Sequence, residues 1–165
     1  MVRKLLQGSV LLLVLLGAVR CESSPSIESL LKILPQFDGW KRDAPFSQEE
    51  NGGVVAGAEY ARDGLSLQFM VMAGPESSAS GPIPEDLEEE RSSGRAESDI
   101  SVFTFLKVDG FDAVIVEMKD ESGASVWVDL RGKGWIILGG DGEKPDALLG
   151  LLAGVQVRQF ALQVQ

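Results

Sequence analysis

The 165-residue chain contains no histidine and a single cysteine. The missing histidine excludes Ser-His-Asp and Cys-His catalysis in their usual forms. It equally excludes histidine-ligated zinc, copper and iron sites. Any catalysis would rest on carboxylates, lysine, tyrosine or serine. The one cysteine, Cys21, lies ahead of the presumed domain, so no internal disulfide forms. In an exported protein the core then holds by packing alone. Long apolar runs are also scarce. The longest, Val10 to Val19, holds ten residues, against about 20 for a helix that spans a bilayer.

That run belongs to an opening stretch, MVRKLLQGSVLLLVLLGAVRCESSPS. Arg3 and Lys4 give a cationic start, an apolar segment follows from Leu5 to Val19, and Arg20 closes it. The length matches the roughly 7–15-residue core of an export signal. Residues 1–21 are therefore expected to be a signal peptide and 22–26 a polar leader, which places the chain in the periplasm or beyond. Cys21 at the end of the run is similar to the lipidated first residue of a bacterial lipoprotein. Ala18 and Val19 suit such a signal, but Arg20 stands where the peptidase takes Gly, Ala or Ser. Cleavage after Ser23 is the competing site. Membrane contact is expected only through the signal or a lipid on Cys21.

Basic residues are few: 15 against 25 acidic in the whole chain. The first 21 residues hold three of the basic ones and no acid, so the remainder carries 12 against 25, a net of −13. An acidic surface repels nucleic acid and anionic membranes, and suits a soluble protein or a cationic partner. Hydrophobic residues make up 44% of the chain, too many for wholesale disorder. About 140 residues beyond the leader suffice for one domain with a real core.

Ser24 and Pro25 are expected to start a helix, as N-cap and first helical residue. Ile27, Leu30, Leu31 and Leu34 give it one apolar stripe, and Pro35 ends it. Trp40 follows an Asp38-Gly39 turn and is expected in the core. Asn51-Gly52 and Asp63-Gly64 bracket a strand from Val54 to Ala61, and the returning strand runs from Leu65 to Met72. Residues 74–99 hold eight acids and only four apolar residues, Ala79, Ile83, Leu87 and Ala96. This composition predicts a disordered acidic loop with a short helix over Pro84 to Arg91. Four more strands follow at Ile100–Val108, Ala113–Lys119, Ala124–Leu130 and Trp135–Leu138. Their short connections permit only antiparallel pairing. Gly139 to Lys144 reads as a loop, and Pro145 opens a leucine-rich helix. The tail from Val155 fits a strand or a helix equally. The fold expected is α+β: one domain, 27–165, with an antiparallel sheet of about six strands, a hairpin plus a four-strand meander, packed against N- and C-terminal helices.

LPQFDGW, YARDGLSLQFMV and VDGFDAVIVEMKDESGASVWVDLRGKGWIIL, followed by a leucine helix, resemble small exported bacterial proteins of unassigned function. The same element order is similar to the PsbP and Mog1 class of α/β/α sandwiches. The resemblance covers most of the chain after the leader. It implies a non-catalytic binding or assembly factor, and no site residue carries over from it.

Four constellations invite chemistry or binding. PEDLEEER gathers Glu85, Asp86, Glu88, Glu89 and Glu90, but without the alternate spacing of a calcium loop it reads as a solvated acidic segment. GGDGEKPD precedes a helix, but Asp141, Glu143 and Asp146 would repel phosphate, and it lacks the P-loop spacing. Asp112, Glu117 and Asp129 lie near strands, where outward-facing polar residues are ordinary. Trp127 and Trp135 sit on consecutive strands, as core or as the lining of a groove for an apolar ligand or peptide. They are the candidate partner surface. No catalytic residue, metal or cofactor is expected. The chain reads as an exported, non-catalytic envelope protein that binds or scaffolds an unknown protein or small-molecule partner. A carboxylate-dependent hydrolase and a carrier of a small amphiphile are the alternatives.

Overall fold

A computed structural model describes residues 26–50, 52–74 and 81–164. Helix α1 (Ile27–Lys32) is capped by Ser26, whose hydroxyl accepts from the Ser29 amide at 3.4 Å. The cap expected at Ser24, and Pro25, lie outside the described residues. The helix ends at Lys32, two residues before Leu34, whose successor Pro35 disfavours helical backbone there.

Strands β1 (Lys41–Arg42), β2 (Phe46–Glu50), β3 (Gly53–Arg62), β4 (Leu65–Ala73), β5 (Arg95–Glu97), β6 (Ser101–Val108), β7 (Phe111–Met118), β8 (Gly123–Asp129) and β9 (Gly134–Asp141) form one sheet. Every pairing is antiparallel. The order is β3, β4, β9, β8, β7, β6, β5, with β1 and β2 both on the outer side of β3. At Asp63-Gly64 the φ values are 51° and 84°, and at Asp109-Gly110 they are again 51° and 84°. Two consecutive positive φ angles make the tight turn whose twist matches the strands it joins.

The expected α+β fold with about six strands is overturned. The sheet has nine strands and the helices are few and short, so the architecture is sheet-dominated. The additional strands β1, β2 and β5 are edge pieces of two to five residues. Edge strands stay short and polar because an apolar open edge invites aggregation. That same polarity hides them from a search for apolar alternation. The strand expected to end at Leu138 runs on to Asp141 through Gly139 and Gly140.

The two faces of the sheet are covered differently. On one, α1, α2 (Pro145–Leu152) and α3 (Val157–Gln163) close over the main core, which is filled by Tyr60, Phe69, Phe160, Leu67, Ile136 and Leu148. The ambiguous tail is thus helical, with Val157, Phe160 and Ala161 turned inward. On the other face, a 3-10 helix (Glu85–Ser93) lies over the β5–β8 end. Ile83, Leu87 and Ala96 pack there with Phe103 and Val114. The stretch expected as a disordered acidic loop is, from residue 81 onward, built into the fold. Its length has a geometric cause. β4 and β5 lie five strand spacings apart, about 24 Å at the usual separation, so the connection must cross the sheet. Among its described residues, Ile83, Leu87 and Ala96 cover the face beneath while Glu85, Glu88, Glu89 and Glu90 face water.

Candidate functional site

Trp127 and Trp135 meet on the second face, with ring centroids 6.2 Å apart at 72°. Trp127 is half-buried against the second-face cluster and donates its indole N–H to the Ser125 hydroxyl at 2.9 Å. Trp135 is only 7% exposed. A Cβ placed on Gly81 would stand 3.3 Å from its ring, so the chain entering the 3-10 helix runs close over it. The pair therefore lies beneath the crossing segment, away from the helices. Cys21 lies outside the described residues.

Among the clefts of the described residues, two lie one on each side of the sheet. The larger, about 440 Å³, lies on the helix side between the segment after α1 and the α2–α3 corner. Phe37, Val155 and Phe160 supply apolar side chains to it, with Ile33 and Leu151 beside them. Gln36, Gln156 and Gln159 add amides, while Gly150 and Gly154 leave the helical wall low. The opposite wall is pinned from the sheet. The Tyr60 hydroxyl donates to the Pro35 carbonyl at 2.7 Å, and Arg42 donates to the Leu34 carbonyl at 3.3 Å. Gln36 donates to the Trp40 carbonyl at 3.1 Å. The Phe37 ring leans on Tyr60, centroids 4.8 Å apart. Burial raises the Tyr60 pKa above its ordinary value, and the nearby Arg42 charge partly offsets this. Trp40 is core, as expected, with Arg62 stacked 4.4 Å above its ring.

The second cleft, about 370 Å³, opens on the other face where β3, β4, β9 and β8 run side by side. Glu59 pairs across strands with Gln68, Gln68 with Gly139, and Gly139 with Ser125. Strand alternation puts these four positions in one row on one face. Gly139 places no side chain in that row, and a Cβ there would crowd that of Ser125 at 3.0 Å. Ser66 and Asp141 close one end and Ile137 the other. Of these residues only Asp141 was singled out from the sequence, in the GGDGEKPD stretch. The signal available was the Gly139-Gly140 pair, since glycine inside a strand marks a close approach or an opening.

The acidic run does not gather into an ion site. Glu85, Glu88, Glu89 and Glu90 point into solvent, while Leu87 turns inward. Among the described residues no group of three or more Asp, Glu or Cys side chains is placed to hold a metal. The GGDGEKPD stretch closes β9 and leads to Pro145 at the start of α2. Its Glu143 is buried at 8% exposure, and one carboxylate oxygen lacks a hydrogen-bond partner among the described residues. Among those residues no helix is long and apolar enough to cross a membrane. No protein-family model, curated protein or solved structure matches the chain.

Proposed function

We propose that this chain is an exported, non-catalytic binding domain of the cell envelope that holds an extended peptide segment of a partner in the helix-side cleft. One observation carries the reading: that cleft combines apolar surface from the half-buried Ile33 and Leu151, over the buried Phe37 and Val155, with amides from Gln36, Gln156 and Gln159. An extended peptide presents the matching pair, an apolar side chain for the floor and backbone N–H and C=O groups for the amides. The interior between sheet and helices is filled by Tyr60, Phe69 and Phe160, which favours a surface groove over enclosed carriage of an amphiphile. The carboxylate-hydrolase alternative draws on Glu59 and Asp141, which line one cleft. Both stand in solvent, without the burial that general-acid chemistry exploits, so binding is the better-supported role.

Gly150 gives a direct test. It lines the cleft from within α2, and nothing lies within 4 Å of a Cβ placed there. Gly150→Leu fills the groove while improving helix propensity by up to about 1 kcal/mol, so the variant stays folded. Peptides selected from a random library on the wild-type domain are expected to bind Gly150→Leu at least tenfold more weakly. Failure to select any peptide, or equal binding by both proteins, overturns the proposal.

A further inference from the structure

The cleft on the opposite sheet face has a different character. Neighbouring positions of that face are apolar: Met70, Ile137, Trp127 and Val114 stand opposite one another across four strands. Two residues along, β4, β9 and β8 carry Gln68, Gly139 and Ser125, between Glu59 on β3 and Val116 on β7. Polar residues facing water on a sheet are ordinary. Here, however, they surround a hollow of about 370 Å³. No side chain stands in the row at Gly139, which lies between Gln68 and Ser125. Glu59 and Asp141 supply two carboxylates to its lining. Neither has an ion-pair partner among the described residues. Gln68, Ser66 and Ser125 add neutral oxygens that accept hydrogen bonds. The Ser125 hydroxyl already accepts from Trp127, which fixes its position and leaves a further lone pair available. The lining thus offers acceptors and negative charge around a gap wide enough for a small polar head.

The geometry points to this cleft as a binding site for a primary ammonium or guanidinium group, presented on a slender alkyl chain. Such a head donates several hydrogen bonds and accepts none, which matches a ring of carboxylate, amide and hydroxyl oxygens. Its charge complements both the cleft and a chain with 25 acidic against 15 basic residues. A stem of methylene groups would lie over Ile137, one of two apolar members of the lining with Leu67. The group arrives either on a free polyamine or on a lysine or arginine side chain. Because this cleft and the helix-side cleft lie on opposite faces, the inference does not depend on the peptide reading.

The test uses the folded domain with spermidine and, separately, with an N-acetylated, C-amidated lysine or arginine, read by calorimetry and by intrinsic tryptophan fluorescence at low salt. Saturable one-site binding of at least one probe is expected, and the tighter probe identifies the source of the head group. A charge-assisted hydrogen bond is worth roughly a tenfold change in affinity. Glu59→Gln with Asp141→Asn is therefore expected to weaken binding tenfold or more, and both sites are exposed, so the double variant folds. Glu88→Gln with Glu89→Gln removes the same charge from the exposed 3-10 helix and is expected to leave binding unchanged. Equal weakening by the two double variants would reduce the effect to general surface charge and overturn the inference. Absence of saturable binding by every probe would also overturn it.

Discussion

Leu87 sits in the most acidic stretch of the chain yet is only 9% exposed, held with Ile83, Ala96, Phe103 and Val114. If those contacts hold the crossing segment to the sheet, Leu87→Ala should release it. The substitution removes three carbons from a buried side chain, about 2 kcal/mol at the usual transfer value. The site is at the margin of the fold, where neighbours can relax, so the cavity contribution is small. The loss should appear first as local opening, because the 3-10 helix packs on one small cluster while the main core lies on the other face. Arg91 and Arg95 give trypsin two sites within the segment. Where cleavage proceeds through local opening, its rate follows the open population, and 2 kcal/mol corresponds to about a 30-fold increase. Limited proteolysis with mass analysis of the fragments reads this directly, with Glu89→Ala as an exposed neighbour that should change nothing. If Leu87→Ala is cut after Arg91 and Arg95 no faster than wild type, the segment opens without breaking these contacts and the packing argument fails.

Tyr60 is the one tyrosine in the chain, so tyrosinate absorbance reports that group alone. Its folded-state pKa is raised by burial, so its stabilising contribution is complete below the ordinary value of 10.0 and is lost as pH rises through the folded value. The absorbance midpoint of the folded protein should exceed 10.0, and Arg42→Met should raise it further; a midpoint at or below that value contradicts the burial account. Glu97 behaves in the opposite sense. Hydrogen bonds from Arg95 and then Lys119 hold its carboxyl below the ordinary 4.5, so its contribution is complete above that value and fades as pH falls through the depressed one. The protection of β5 amides, taken relative to the intrinsic exchange rate at each pH, should fall on acidification below pH 4.5, and Glu97→Gln should remove that dependence. An unchanged profile in the variant would show that the edge strand is held by its backbone pairing alone.

What could be read from the sequence divides along a physical line. The six strands found in advance are rich in apolar and β-branched residues, some with clear alternation as in Leu65–Ala73, and end at turns such as Asp63-Gly64, so local chemistry dictates them. The strands that escaped, Lys41–Arg42, Phe46–Glu50 and Arg95–Glu97, lie at the two edges, where pairing is decided by a partner strand rather than by their own pattern. Phe46 shows the dependence: its ring lies over Gly57 in β3, where a Cβ would come within 2.8 Å of it. An aromatic over a strand glycine is a tertiary fit, and neither residue announces it alone. Ile83, Leu87 and Ala96 pose the same problem. Three apolar residues among eight acids look too few to build a core, and they are. They need only cover part of a face whose apolar surface, Phe103 and Val114 included, comes from other strands. The clefts follow this logic further. Phe37 and Phe160, or Glu59 and Ser125, are far apart in the chain and share a lining only after nine strands take their order. The acidic composition therefore had two structural consequences that a charge count merges. In the crossing segment it keeps the outer side of a thin cover in water, and around Gly139 it turns a gap in the sheet surface into a receptor for positive charge.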